Sequence, residues 1–421
     1  MSSDPWLACD ALQKDPYGSH EPPIYQTSTF VFDSTADAAA IFSGGKPGFV
    51  YTRLGNPTIA AWEKRLAELE SAGTGLDAAA LAFSSGMGAV SAAVLACVEQ
   101  RDHVVAVQPL YGGTAELFRD LLPRYGVAVT QLACGDLAGL EAAAREPRTK
   151  VVYVESPANP TLDIIDIRHA AGVAHAAGAR LIVDNTFATP IFQQPLALGA
   201  DLVVQSTSKF LGGHGTVIGG GVIGTDRDLL AGPVSMMRKL IGSVPSPHDA
   251  WLLYQGSKTL ALRVERMAQT ARRLAAELAQ HGGVMWVRYP GLADDPGHEV
   301  ASRQMSGFGS VIAFGIRGGM EAGARFMDEL KVAKRAVSLG CTDTLVEHPA
   351  SMTHVHLTPE ERAAGGITDD LIRVSVGLEP VESLVSDLTE ALERASPPIR
   401  AAAARSPSRR DGSRRAPQPR T

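Results

Sequence analysis

The sequence predicts an α/β fold: a mostly parallel sheet, followed by a smaller α+β domain. Three observations carry that prediction. Short apolar runs alternate with helical stretches through the first half of the chain, the rhythm of βαβ units. Those runs (HVVAVQ, KVVYVE, RLIVD, LVVQ) are apolar nearly throughout, so both faces of the sheet are covered. From about residue 250 the rhythm stops, and long helical stretches mix with a few strands. The expected organisation is an N-terminal arm over 1–50, a large α/β domain over 51–250, a C-terminal α+β domain over 251–395 and a tail over 396–421.

Residues 1–50 read as loosely structured. Pro22 and Pro23 precede IYQTSTFVF, a β-prone run suited to an extended or edge position. KPGFVYTRLGNPT (46–58) is turn-rich and ends on an N-cap. AAWEKRLAELESA then places Trp62, Leu66 and Leu69 on one helical face. Residues 78–98 carry no charge, but they are mostly Ala, Gly and Ser and are interrupted by SSGMG. A buried strand, a glycine turn and a core helix account for them better than a membrane span. Strands are predicted over 103–109, 127–132, 150–157 and 180–186, with helices over 114–126, 136–146 and 165–178 between them. LVVQSTSK and GGGVIGT follow as strands. The stretch 249–282 reads as one or two long helices. Beyond it, 308–316 and 371–378 read as strands, and 323–330 and 380–395 as helices.

With 421 residues, 45% apolar and 20% charged, the chain has the composition of a globular enzyme. Net charge is −6, which does not suggest nucleic acid as a partner. The tail over 396–421 holds seven Arg and one Asp, a net +6 on a body of −12, and it is expected to be disordered. Cys9, Cys97, Cys134 and Cys341 form neither a disulfide framework nor a zinc site. No charged-then-apolar leader opens the chain, so a cytoplasmic enzyme is expected, with no membrane partner.

The chemistry concentrates where predicted strands end in polar residues: Glu155 to Asn159, Asp184 to Thr186, and Ser206 to Lys209. Parallel strands place such ends on one edge, where ligands sit. Lys209 follows the buried run LVV and is flanked by hydroxyls. A partly desolvated lysine there can lose its proton near neutral pH and form a Schiff base. Asp184 follows the buried run LIV and needs a cationic partner. A Schiff-base lysine and an acid for a protonated pyridine nitrogen are what pyridoxal phosphate (PLP) requires. The glycine turn Ser84-Ser85-Gly86-Met87-Gly88 opens a helix whose N–H groups can hold its phosphate.

Motifs from residue 22 to about 395 resemble one family: PPIYQTSTF, YTRLGNPT, SSGMGA, PLYGGT, VESPANPT, VDNTFATP, QSTSKFLGGHG, VPSPHDA, RAVSLG, EHPASMTH and IRVSVGLE. The chain is similar to the Cys/Met-metabolism, fold-type-I PLP enzymes, which include cystathionine γ-synthase, cystathionine γ-lyase, methionine γ-lyase and O-acylhomoserine sulfhydrylase. The resemblance implies Lys209 as the Schiff-base lysine, Asp184 at the pyridinium nitrogen and Tyr111 on the ring, acting on protons or the leaving group. It implies Gly86, Met87, Ser206 and Ser208 at the phosphate and Asn159 at the ring hydroxyl. Arg373, helped by Ser338, would hold the substrate carboxylate. Tyr51 and Arg53 would reach the phosphate of a neighbouring subunit, in a dimer usually within a tetramer.

The implied reaction is γ-elimination from a γ-substituted L-amino acid, giving a 2-oxo acid and ammonia; the alternative is γ-replacement by a thiol. Gly113 stands where dedicated methionine lyases carry a cysteine, and Arg238-Lys239 where they carry an acid. Cys341 and Asp343 lie where the family varies with substrate. If Lys239 lies near the substrate's distal end, methionine is expected to be a poor substrate; otherwise it faces solvent. A nucleotide-binding oxidoreductase is disfavoured because no GxGxxG follows the first strands. A silent, PLP-less binding protein would lack the visible absorbance expected of a loaded enzyme.

Overall fold

A computed structural model of the chain describes residues 15, 17–353, 355, 358, 362 and 366–395. The arginine-rich tail, Cys9 and much of the TPEER run lie outside the described residues. Two sheets organise the rest. The first has seven strands: β1 Ala79–Phe83, β2 His103–Gln108, β3 Ala128–Ala133, β4 Thr149–Glu155, β5 Arg180–Asp184, β6 Leu202–Gln205 and β7 Gly220–Gly224, in the order β1-β7-β6-β5-β4-β2-β3. The five from β2 to β6 pair in parallel, as their apolar runs require. β7 pairs antiparallel with both β6 and β1.

Alternation within each run explains the layers. Val152, Val154, Leu181, Val183 and Val203 join Trp62 and Leu66 in one core. Val151, Tyr153, Ile182, Leu202 and Val204 join Phe118 and Val90 in the other.

The helices begin with α1 Thr35–Phe42, inside the stretch read as loosely structured. Ser34 caps it, accepting from the Asp37 N–H. The only strand-like feature of the preceding run is an isolated bridge from Thr29 to Tyr51. α2, Pro57–Ser71, starts where the N-cap predicts: Asn56 Oδ1 accepts from the Thr58 N–H, while Asn56 Nδ2 donates to Tyr25 O. α3, Gly86–Leu95, opens on Ser85, whose Oγ accepts from the Gly88 N–H. The helix expected over 114–126 is broken. α4 spans Gly112–Glu116, widens into a π turn over Leu117–Leu121 and tightens into a 3₁₀ turn over Leu122–Tyr125. Pro123, which has no N–H to donate, sits at the change.

α5 Leu137–Ala144, α6 Ile167–Ala176 and α7 Ser235–Ile241 follow around this sheet, with short helical turns at Thr189–Phe192, Pro195–Leu198 and Arg227–Leu229 between α6 and α7. The long helical stretch divides into α8 Pro247–Ser257 and α9 Leu260–Gln280. Then come α10 His298–Gln304, α11 Gly319–Glu329 and α12 Val381–Ala395.

The second sheet runs β10-β11-β12-β9-β8, with β8 Val284–Arg288, β9 Val311–Ile316, β10 Lys334–Arg335, β11 Leu345–Glu347 and β12 Leu371–Ser375. Only β10 and β11 are parallel. β9 and β12 match predicted strands. β10 and β11, two and three residues long, offer no periodicity to read. No helix among the described residues is long and apolar enough to cross a membrane.

β7 lies tightly against the start of α3. A Cβ on Gly220 would stand 2.1 Å from the Ser85 carbonyl oxygen, and backbone cannot yield as a side chain can. Gly220→Ala should therefore cost about 1–3 kcal/mol. A urea titration reads this as a lowered midpoint; an unchanged midpoint would show that the contact relaxes freely.

Candidate active site

Every polar strand end singled out in the sequence falls on the C-terminal edge of the parallel strands. The register sets their order: Glu155 lies opposite Asp184, and Asp184 opposite Val204. Two carboxyls therefore sit side by side. Glu155 is buried, while Asp184 keeps part of its surface open. Burial raises the proton affinity of Asp184, opposed chiefly by hydrogen bonding from Thr186. Asp184 Oδ1 accepts from the Thr186 N–H at 2.9 Å. Glu155 is raised further by burial and by the neighbouring Asp184 charge, against N–H bonds from Tyr111 and Asn159. Among the described residues, neither carboxyl is ion-paired with an arginine, lysine or histidine, and burial is the main cause acting on each.

Lys209 stands at the turn after β6. Its Nζ donates to Ser338 Oγ at 2.7 Å. Burial, then the charge of Arg373, bring its pKa down to about 8, against the pull of Glu347 and the Cys341 thiol. The turn is clamped from α9. Arg263 Nη1 donates to Phe210 O at 2.8 Å and Nη2 to Gly256 O at 2.7 Å. A Cβ on Gly213, at φ +69°, would lie 1.9 Å from Arg263 Nη1, so that turn admits only glycine.

Arg373 enters from β12 of the second sheet and is 5% exposed. Nη1 donates to Asn159 Oδ1 at 2.7 Å; Nη2 donates to Ser338 O at 2.8 Å and to Glu347 Oε2 at 3.0 Å. Ser338 thus touches Lys209 with its hydroxyl and Arg373 with its carbonyl. It holds this bridge in a left-handed conformation, φ +87°, which is costly for a residue other than glycine. Lys209, Arg373, Asn159 and Ser338 form one connected group drawn from both sheets.

Tyr111 precedes the first turn of α4. Its N–H reaches both Glu155 oxygens, at 2.9 and 3.0 Å, and its side chain is half exposed. Gly113 lies close by: a Cβ there would meet Met87 Sδ and Tyr111 Cε1, each at 3.0 Å. At the α3 N-terminus, a Cβ on Gly86 would stand 2.8 Å from Ser206 Oγ, so the glycine keeps a cradle open beside that hydroxyl. Ser208 Oγ accepts from the Gly219 N–H at 2.9 Å and donates to Gly219 O at 3.2 Å, tying the lysine turn to β7. Ser243, which the sequence reading passed over, bonds Ser84 Oγ at 2.9 Å over the same helix start.

Tyr51 and Arg53 are exposed on the arm. Arg53 Nη1 donates to Lys239 O at 3.1 Å, and its guanidinium lies 5.8 Å from the Tyr51 ring centroid. Of the Arg238-Lys239 pair, Arg238 faces inward. It is 5% exposed and ion-paired with Glu63, and it donates to Ala82 O at 3.2 Å. Lys239 is exposed.

Glu155, Glu347 and Ser243 are the residues that sequence reasoning left without a role. Glu155 alone had a signal, as the polar end of a predicted strand. No cluster of His, Cys, Asp and Glu among the described residues could hold a metal.

The arrangement fits PLP on its own terms. An acid with no cationic partner suits a protonated ring nitrogen, a lysine with a lowered pKa suits the aldehyde, and a helix start kept open by glycine suits the phosphate.

Comparison with known proteins agrees. The family model for Cys/Met metabolism PLP-dependent enzymes matches residues 7–393. An L-methionine γ-lyase of Porphyromonas gingivalis is 46% identical, over 90% of this chain and 93% of its own. An O-succinylhomoserine sulfhydrylase of Pseudomonas aeruginosa is 42% identical, over 90% and 92%. The crystal structure of a cystathionine γ-lyase from Micromonospora echinospora superposes with TM-score 0.84 at 39% identity, covering 92% of this chain and 98% of that one.

Since only the free amine reacts with an aldehyde, capture of PLP by the apo-protein should rise with pH through a midpoint near 8. Borohydride trapping with peptide mapping reads both rate and position. A midpoint near the ordinary lysine value of about 10.4, or a label on another lysine, would contradict this site.

Proposed function

This chain belongs to the Cys/Met-metabolism PLP-dependent enzymes, and on that premise we propose that it catalyses γ-elimination from a homoserine-derived thioether amino acid. The products are a thiol, ammonia and a 2-oxo acid, with water consumed. One observation carries the reading: Ser338 bonds both Lys209 and Arg373, so the lysine that would carry the aldehyde and a carboxylate receptor stand one residue apart. That juxtaposition suits the amine and carboxylate of an α-amino acid.

PLP, when bound, supplies an electron sink for charge developing at Cα. The chain's own residues do the rest. Lys209 would hold the cofactor covalently, and its amine, when free, would be the base that moves the protons at Cα and then at Cβ. Asp184 keeps the ring nitrogen protonated. Arg373 would bind the α-carboxylate through the donors its partners leave, the second Nη1 hydrogen and Nε, which is buried without a hydrogen-bond partner among the described residues. Asn159 Oδ1 is taken by Arg373, so its Nδ2 is the atom for the ring oxygen. Gly86 and Met87 N–H groups, with the hydroxyls of Ser206 and Ser208, hold the phosphate. Tyr111 gives a proton to the departing γ-substituent, its main chain fixed on Glu155. Tyr51 and Arg53, exposed on the arm, complete the phosphate site of a neighbouring subunit, which makes a dimer, within a tetramer, the active unit.

A second reading, γ-replacement by a thiol, draws support from the sulfhydrylase relative. A cytoplasmic setting follows from the sequence expectation. Gly113 lets Met87 and Tyr111 close over it, since a Cβ there would meet each at 3.0 Å, so the larger side chain of a cysteine would press on both. Lys239 is exposed in the single chain and its backbone oxygen accepts from Arg53, so a polar thioether is preferred over methionine only if the assembled site brings the Lys239 side chain to the substrate's distal end.

Steady-state kinetics on methionine, cystathionine and O-acylhomoserines, assaying 2-oxo acid and thioether products, separates these readings. We expect equimolar 2-oxo acid and ammonia, with kcat/KM for cystathionine about tenfold above methionine. New thioether as the only product would replace elimination with replacement. Methionine as the best substrate, or Lys239→Met leaving every ratio unchanged, would overturn the reading of the distal pocket.

A further inference from the structure

Glu347 has no part in the chemistry above, yet it is built into the site. It ends β11 directly opposite Arg373 on β12, and the register aligns the two residues. Its Oε2 accepts from Arg373 Nη2 at 3.0 Å, with both side chains 6% exposed. The same nitrogen donates to Ser338 O, and Ser338 Oγ accepts from Lys209. A continuous path therefore runs Glu347, Arg373, Ser338, Lys209.

We propose that Glu347 is a positioning residue that also sets the charge of this site. It fixes Arg373 Nη2 and offsets part of the guanidinium's pull on an incoming α-carboxylate and on Lys209. The inference rests on the assignment of Lys209 and Arg373 given above.

The charge bookkeeping around the pair is short. Lys209 is faced by Arg373 from β12, by Glu347 from β11 and by Cys341 from the loop between β10 and β11. Arg373 is faced by Glu347 and by Tyr111. Glu347 is faced by Arg373 and Lys209, which oppose the effect of burial on its carboxyl. An anion beside two cations favours both charged forms, so removing it has a definite sign. The Lys209 ammonium loses a stabilising neighbour and gives up its proton more readily. The guanidinium loses a competitor and binds carboxylate more tightly. Had Glu347 served only to brace the strand pair, an isosteric neutral residue would change neither property.

E347Q keeps an acceptor oxygen for Arg373 Nη2 and removes only the charge. In this variant the midpoint for PLP capture by the apo-protein should fall below the wild-type value near 8 by about half a unit to one unit. The inhibition constant of L-2-aminobutyrate, an amino acid with no γ-leaving group, should fall about threefold to tenfold. E347D, which keeps the charge on a shorter stem, should return both quantities toward wild type. E347A is a second neutral variant and should show the same downward shift if E347Q fails to fold by circular dichroism.

Arg373→Lys is the control. If it leaves the inhibition constant unchanged, the assignment of Arg373 fails and this inference falls with it. If Arg373→Lys weakens binding but a folded neutral variant shifts neither midpoint nor inhibition constant, the role of Glu347 alone is overturned.

Discussion

The structure depends on one electrostatic constraint: Glu155 and Asp184 are register partners at the ends of adjacent parallel strands. Two carboxyls side by side at the edge of an apolar sheet cannot both ionise cheaply, and among the described residues neither has a basic ion-pair partner. The chain leaves that cation to be supplied from outside. A protonated pyridine nitrogen meets the requirement and adds no further anion at that point. Binding the cofactor and relieving the pair are then one event. Glu155 also accepts the Tyr111 N–H, which places an aromatic ring at the entrance above the same edge.

Assembly of the remaining site depends on the second sheet meeting the first. β12 delivers Arg373, and the loop after β10 delivers Ser338, both onto the lysine turn. α9 secures that turn from behind through Arg263, a buried cation whose acceptors are backbone carbonyls and Thr259 Oγ1. Such a cation is costly to bury and is retained where geometry matters more than stability. On the proposed assignment, a substrate carboxylate would meet a receptor whose position is set by β11, β12 and Ser338, while its amine would meet a lysine set by β6 and α9. Amino-acid recognition is a property of the interface between two sheets.

Much of this was legible in the sequence, for identifiable reasons. Apolar runs mark buried parallel strands, and their polar ends mark the ligand edge, so Asn159, Asp184 and Lys209 could be brought together before any coordinates. Cross-strand register was not legible, because strands joined by crossover helices carry no local sign of alignment; the Glu155–Asp184 pairing was therefore missed. Partners far apart in sequence were equally hidden. Arg238 stands beside Lys239 where dedicated methionine lyases carry an acid, and nothing in the sequence shows that it is buried against Glu63, 175 residues away. Glu347 lies on a strand too short to show periodicity, and α1 sits in a segment whose small and polar residues give little helical pattern.

On the proposed assignment, Asp184 stands ready for a cation that the cofactor brings. The most direct measurement is PLP-dependent thermal stabilisation of Asp184→Asn beside wild type, read together with turnover. The neutral amide relieves the acid pair, so apo-protein stability should hold or rise. The gain in melting temperature on adding PLP should shrink, and turnover should fall about a hundredfold or more, because the ring nitrogen is no longer held protonated. A variant that keeps both the full PLP-induced gain and near-normal turnover would reduce Asp184 to a structural strand end and contradict the account.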